Sequence, residues 1–107
     1  MTSDQLTALL VQPIFGWRAC RDRFMTGDDR EWLKRDAFQP TKSLDAAFRL
    51  LKAIKPVDYR LGGSASGPCW AQVKLNRTSG EASASSLPIA ICLAIAKTLG
   101  IEVETID

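Results

Sequence analysis

The side chains available for chemistry are restricted from the start, because the sequence contains no histidine and only 3 cysteines. Cys20, Cys69 and Cys92 lie far apart and form no CxxC pair. The lack of histidine excludes a Ser-His or Cys-His nucleophile, a histidine-ligated metal and a histidine pH switch. A zinc site assembled from the three scattered cysteines is the less favoured alternative. We therefore expect no enzyme activity, no cofactor and no metal, and a reduced setting for the cysteines.

A group of acidic residues, Asp28, Asp29 and Glu31, is close enough in sequence to resemble a divalent-metal site. The group lies in a basic stretch, where adjacent carboxylates are more often solvated partners of arginine and lysine. We favour this second interpretation. A carboxylate pair assembled from distant parts of the chain would not be visible in the sequence.

Two stretches rich in Gly and Ser, residues 62–68 and 77–86, have the composition of loops. The second leads into a predicted helix, whose free N–H groups and dipole would favour an anion such as a phosphate or nucleotide. Neither stretch matches GxGxxG or the Walker pattern, so ordinary flexible loops are the simpler interpretation. The candidate ligand residues are Arg60, Gly62, Gly63, Ser64, Lys74, Arg77, Ser85 and Ser86.

The 3 tryptophans offer a large aromatic surface for so short a chain. Trp17 is predicted to lie in the core. Trp70 is buried if helices cover both faces of the sheet, and forms a platform for stacking or docking if one face is open. We favour the buried position for Trp70, and Trp32 as the exposed aromatic.

Residues 18–42 are predicted as an irregular charged insertion within a single domain that spans residues 1–107. A short strand within residues 17–24 and a turn at 26–29 are the only local structure that the pattern indicates. The favoured interpretation is a solvated insertion, and the alternative is a contact surface, because Trp and Arg are enriched at interface hot spots. The contact residues would be Arg21, Arg23, Arg30, Trp32, Lys34 and Arg35.

The elements that would position these residues are organised around residues 87–99, an almost wholly apolar stretch. It is predicted to be a buried helix, capped by Ser85 or Ser86, with Pro88 in its first turn and Gly100 at its end. At this length it is too short to cross a membrane, which takes ~20 apolar residues.

Two further helices are predicted from apolar spacing. The first covers residues 2–11, is capped by Ser3 or Asp4 and ends before Pro13. The second begins after Ser43, buries one face and ends at Pro56.

Alternating patterns predict two strands, residues 57–61 and 69–75, joined as an antiparallel hairpin. The tail would add an edge strand through Ile101 and Val103, with Glu102 and Glu104 outward. The predicted fold class is α+β, a small antiparallel sheet sandwiched by helices in αβα layers with a buried C-terminal helix. Composition agrees with a globular domain, at 46% hydrophobic and 24% charged residues.

Short motifs in a fixed order make the chain resemble the phage ABA-sandwich domain family over nearly its whole length. They lie within FGW, FQPTKSLDAAFRLL and SLPIAICLAIAKTL, and the matching positions are Gly16 and Trp17, Pro40 and Thr41, Asp45–Ala47 and Ala90–Cys92. An arginine often found after the last motif is Leu93 here. The resemblance implies helices on both faces of a small sheet, a phage or prophage origin and no catalytic residues.

Together these patterns predict a phage accessory binding protein in the cytoplasm of a bacterial host. It would inhibit or redirect a host protein or protein complex, such as the target of an anti-CRISPR-type inhibitor. The alternative is a module that sequesters a nucleotide through the Gly/Ser stretches. Nucleic-acid binding is disfavoured by a net charge of only +2. No membrane contact is expected, and an edge strand would allow a homo-oligomer.

Overall fold

The computed structural model describes residues 2–27, 31–63 and 65–103. It places in them three α-helices and two antiparallel sheets of three strands each, which confirms the α+β class. The helices are α1 (Ser3–Phe15), α2 (Leu44–Ala53) and α3 (Leu87–Thr98), with a short 3-10 helix at Arg35–Ala37. The strands of the first sheet are β1 (Arg18–Ala19), β2 (Arg23–Met25) and β3 (Trp32–Lys34), and those of the second are β4 (Asp58–Gly62), β5 (Cys69–Lys74) and β6 (Ser79–Ala84).

Helix α3 is the centre of the fold, as predicted. It packs against β5 and β6 on one side and against α1 and α2 on the other, and Ile91, Cys92 and Ile95 are fully buried. Gly100 ends the helix in the left-handed region at φ +78°. Ser86 occupies the N-cap position, but its hydroxyl makes no capping hydrogen bond, so that part of the prediction is wrong.

The prediction of a second loop at residues 77–86 is wrong over most of its length, because Ser79–Ala84 is strand β6. Its small residues reflect close packing rather than flexibility. A Cβ atom at Gly80 would lie 2.5 Å from the backbone oxygen of Ala94 and 2.6 Å from Oγ1 of Thr98. Helix α3 approaches this strand so closely that only glycine fits there.

The predicted hairpin of β4 and β5 is confirmed, with Tyr59 paired to Val73 and Gly62 to Trp70. The inner face of β5 buries Ala71 and Val73 against α3. Trp70 points the other way and is 37% exposed, so its predicted core position is wrong. Among the residues that the structure describes, no helix covers the outer face of this sheet.

Helix α1 differs from its prediction at both ends. Thr2, rather than Ser3 or Asp4, is the N-cap, in a reciprocal pair of hydrogen bonds with Gln5. The helix continues through Pro13 to Phe15. Pro13 has no backbone N–H, so the helix forgoes one hydrogen bond in its last turn, to the carbonyl four residues earlier. Gly16, in the left-handed region at φ +75°, stops the helix instead.

Helix α2 follows its prediction closely. The Ser43 hydroxyl accepts from the backbone N–H of Ala46 at 3.3 Å, and Ala47, Leu50 and Leu51 are buried. The helix ends at Ala53, and Lys55 takes a positive φ of 51° before Pro56.

The segment predicted as an irregular insertion contains the whole first sheet. Strand β2 pairs with both β1 and β3, and Phe24 at its centre is fully buried. Trp17, predicted to lie in the core, is half-buried and packs against it, stacked on Phe15 at 4.7 Å and edge-on to Phe38 at 5.4 Å between ring centroids. The strands are only two or three residues long, too short for a detectable alternation.

The predicted edge strand of the tail is wrong for residues 101–103, which have no regular structure. The Ile101 N–H donates to the Ala96 carbonyl at 2.8 Å, and Ile101 and Val103 pack on the core. Glu104 lies outside the described residues. Within the described part of the chain, no helix has the length and apolar character that a membrane crossing requires.

Candidate functional site

The outer face of the first sheet is the strongest candidate site. Alternation along β2 and β3 turns Phe24 toward the core and the residues on either side of it toward solvent. In the observed register, Arg23 lies opposite Lys34 and Met25 opposite Trp32. We call these four residues the Arg–Trp face.

At the centre of the Arg–Trp face, the Arg23 guanidinium stacks on the Trp32 indole, with Cζ 4.7 Å from the ring centroid. Trp32 is 48% exposed, which confirms it as the exposed aromatic. Such a cation–π contact holds the ring in one orientation while leaving its other face to solvent. The indole is therefore presented outward on a strand rather than on a loose loop.

Asp22 fixes the other side of the same guanidinium. Arg23 Nε donates to Oδ1 of Asp22 at 3.2 Å, and the terminal nitrogen donates to Oδ2 at 3.1 Å. This paired hydrogen bond lowers the pKa of Asp22 and raises that of Arg23. The arginine is thus oriented from two sides. Sequence reasoning missed Asp22, whose only signal was its position directly before Arg23.

Arg35 belongs to the predicted contact residues, but the fold uses its donors. One terminal nitrogen donates to the Cys20 carbonyl at 2.8 Å, and the other to the Asp4 carbonyl at 3.0 Å. Its Cζ also lies 4.7 Å above the Phe24 ring centroid. Arg35 therefore connects α1, the β1–β2 turn and the end of β3.

The remaining predicted residues of this region divide between the surface and the part of the chain that is not described. Arg21 is exposed beside the Arg–Trp face. Arg30 lies outside the described residues, as do Asp28 and Asp29 of the predicted turn and carboxylate group, while Glu31 is exposed. Within residues 2–27, 31–63 and 65–103, no group of three or more His, Cys, Asp or Glu side chains is placed to hold a metal.

The eight candidate ligand residues do not converge on one place. Because Gly62 pairs with Trp70 and Cys69 with Ala84, the turn after β4 and the start of α3 lie at one end of the second sheet. That end carries Gly62, Gly63, Ser85 and Ser86, whereas Ser64 lies outside the described residues.

The basic members of that set are elsewhere. Lys74 pairs with Asp58 at the opposite end of the sheet, about four residues or ~13 Å along the strand from Trp70. Arg77 follows Lys74 in the β5–β6 turn, and Arg60 lies in the middle of β4. The helix N-terminus and these cations therefore do not face a common ligand.

A second exposed face lies on the outside of β4–β6. The Trp70 indole covers Gly62 so closely that a Cβ atom there would lie 2.5 Å from the ring. Beside it, Nε of Arg60 and Oδ2 of Asp58 are 3.8 Å apart in an exposed ion pair. This face carries both signs of charge, as does the Arg–Trp face where Asp22 pairs with Arg23.

The 3 cysteines form no disulfide with one another in this arrangement. All 3 are free thiols, half-buried at Cys20 and Cys69 and fully buried at Cys92. Burial raises the pKa of the Cys92 thiol to about 12. The thiol is therefore protonated at neutral pH and behaves as a small apolar core group.

Comparison with solved structures identifies a similar fold. No protein-family model matches the chain, and no curated protein matches its sequence. The fold is similar to that of a phage protein from Bacillus cereus ATCC 14579, with a TM-score of 0.78 and 18% sequence identity. The alignment covers 97% of this chain and 93% of the other. At this identity the likeness establishes a shared fold.

Proposed function

We propose that this chain is a phage- or prophage-encoded accessory binding protein, without catalysis, that binds a host protein through the Arg–Trp face. The observation that carries this proposal is Trp32, exposed on a strand and oriented by Arg23. Exposed tryptophan beside arginine is the composition of interface hot spots. The shared fold with a phage protein supports the phage origin, as does the order of motifs typical of the ABA-sandwich family.

The chemistry of the face indicates the kind of partner. Arg23 and Lys34 lie opposite each other across the strand pair, and Met25 lies opposite Trp32. Because Arg23 is already paired with Asp22, a matching surface would carry carboxylates opposite Lys34 and an apolar pocket for the indole. The proposed partner is therefore an acidic protein surface with a central hydrophobic depression.

Binding of this kind would inhibit or redirect the host protein by covering its surface. A component of host defence in the bacterial cytoplasm, of the type that anti-CRISPR inhibitors bind, fits this role. The nucleotide alternative has less support, because Lys74 and Arg77 lie at the other end of the sheet from Ser85 and Ser86.

The test is a pull-down from host lysate with wild type, Trp32→Ala and Trp70→Ala, followed by binding measurements with the purified partner. Trp70 is a matched control, because it is a comparably exposed tryptophan on the other sheet. Loss of a hot-spot tryptophan typically costs about 2 kcal/mol or more, which raises Kd by ~30-fold.

We expect that loss for Trp32→Ala and little change for Trp70→Ala. If the partner is acidic, Lys34→Ala should lose less affinity than Trp32→Ala, and the loss should shrink as salt is added. Equal capture by wild type and Trp32→Ala would refute the assignment of the Arg–Trp face.

A further inference from the structure

The two edge strands of the second sheet use their outward backbone groups differently. At the β6 edge, the Lys97 side chain donates from Nζ to the Glu81 carbonyl at 2.9 Å. A lysine at a sheet edge is a common obstacle to further strand pairing. Within the described residues, β4 pairs only with β5 and no strand lies on its other side. The β4 edge is thus the one that can accept another strand.

The alternation of hydrogen bonds across the sheet shows that Tyr59 is a β4 residue whose backbone groups point to this open edge. The Leu75 N–H donates to the Thr78 carbonyl at 2.8 Å, which continues the β5–β6 ladder. Since bonded and non-bonded pairs alternate, Gln72 bonds instead to β4, where its partner is Arg60. The neighbouring residue Tyr59 therefore directs its N–H and C=O away from β5, toward the open edge.

The side chains along the same edge are unusually apolar for an unpaired strand. Val57, directly before β4, is 61% exposed and Tyr59 is 48% exposed. The Val57 N–H is already bonded to the Lys74 carbonyl at 2.8 Å. Tyr59 is thus the residue on which an added strand would be centred.

The charges around Tyr59 make the strand complementary to itself. Asp58 precedes Tyr59 and Arg60 follows it, so the two charges are opposite in sign and equally distant from the centre. In the single chain they form only an exposed ion pair of 3.8 Å. A two-fold axis at Tyr59 would place each Asp58 directly opposite an Arg60 of the second copy.

We propose that two copies of this chain associate through antiparallel pairing of their β4 strands, with the two-fold axis at Tyr59. The two Tyr59 residues exchange backbone hydrogen bonds across the axis, and two Asp58–Arg60 pairs flank them on the outer face. Cross-strand pairs of opposite charge stabilise this geometry. Val57 of each copy comes to lie near Leu61 of the other.

A second copy fits this edge better than an unrelated extended peptide. Any peptide could supply the backbone bonds, but only a strand with the same order of charges satisfies both ion pairs in the antiparallel direction. The contact is also closed by its symmetry, because each copy uses the same strand and the β4 edges of both copies are then occupied.

The experiment measures oligomeric state by sedimentation and light scattering over a range of concentrations. Asp58→Arg and Arg60→Asp each place like charges across the axis, and we expect each to raise the dimer Kd by about tenfold or more. An equimolar mixture of the two variants should form a heterodimer. The double variant Asp58→Arg, Arg60→Asp should restore the homodimer, because the pairs are then reversed rather than lost.

Two further variants complete the test. Glu81→Arg changes a charge on the same sheet face at the other edge strand, and should leave the dimer Kd unchanged. Tyr59→Pro removes an N–H that points to the open edge, so the β5 ladder survives while pairing is lost. A monomeric wild type at all concentrations, or equal losses in Glu81→Arg and Asp58→Arg, would overturn the proposal.

Discussion

Arg35 illustrates how a charged residue in a charged segment can belong to the fold. Its guanidinium donates to the Cys20 and Asp4 carbonyls and lies over the Phe24 ring. Removing a charged donor from such contacts typically costs about 1.5–3 kcal/mol for each hydrogen bond, less where water can replace it. We expect Arg35→Ala to lower the free energy of unfolding by about 2 kcal/mol in urea titrations.

The matched control for Arg35→Ala is Arg21→Ala, because Arg21 is exposed in the same segment. Surface substitutions of this kind usually change stability by less than about 0.5 kcal/mol. Arg35→Lys should fall between the two, since it keeps the charge but not the planar fork. Equal stability of Arg35→Ala and Arg21→Ala would contradict the structural role of Arg35.

The buried thiol of Cys92 leads us to expect that stability depends on pH in the alkaline range. Burial raises its pKa from 9.0 to about 12. Between these two pH values the folded state retains a proton that the unfolded chain releases. The contribution of Cys92 to the free energy of unfolding is therefore fully present below pH 9.0 and falls as pH rises toward about 12. The slope approaches ~1.4 kcal/mol per pH unit.

Urea titrations from neutral pH to about pH 11 measure this slope. The comparison is with Cys92→Ala, which loses packing at every pH but lacks the titrating group. We expect the curve of Cys92→Ala to be flatter than that of wild type across the alkaline range. Parallel curves would show that the thiol does not contribute.

Among the elements, β6 shows why composition misled the sequence prediction. Gly and Ser are typical of loops, yet in β6 the small residues face a helix and the polar ones face solvent. At Gly80, an added Cβ would meet the Ala94 carbonyl and Thr98. Overpacking of this kind costs about 1–3 kcal/mol. This cost exceeds the stability that alanine usually gains over glycine by lowering the conformational entropy of the unfolded chain.

We therefore expect Gly80→Ala to destabilise the protein by about 1–3 kcal/mol in thermal or urea unfolding. Ser83→Ala is the control, because Ser83 lies on the exposed face of the same strand. The substitution at Ser83 should change stability by less than about 0.5 kcal/mol. A Gly80→Ala variant as stable as wild type would mean that α3 does not contact β6 this closely.

The elements that the sequence predicted well are those whose signals are local and long. α2 shows apolar residues at helical spacing, α3 is an apolar run bounded by helix-end signals, and β4 and β5 show clear alternation. The first sheet escaped detection because each of its strands is only two or three residues long, and because tertiary contacts of Phe24 with Trp17 and Phe38 hold it in place. α1 extended past Pro13 because Gly16, not the proline, provides the stop.

At the scale of the whole molecule, the candidate sites depended on which residues the fold brings together. The sequence identified Trp32 as exposed, since a tryptophan among charges has no apolar pattern to join. It could not show that Arg23 would orient Trp32 or that Arg35 would be used internally, because both follow from strand register. The prediction for Trp70 was wrong for a related reason. Alternation shows which residues share a face of the strand, but not which face a helix covers.

The candidate anion-binding residues lie at opposite ends of the second sheet. A nucleotide at the start of α3 would contact Gly63 and Ser85 but not Lys74 or Arg77, which lie at the far end. With the cations out of reach, we expect no increase in Tm when ATP, GTP or inorganic phosphate is added. A true ligand at 100 times its Kd would stabilise the fold by about 2.7 kcal/mol, a shift that thermal denaturation readily detects.

Arg60→Ala is the informative variant, because Arg60 lies between the two ends. A nucleotide-dependent rise in Tm that Arg60→Ala abolishes would favour the ligand-binding alternative over a protein-binding role.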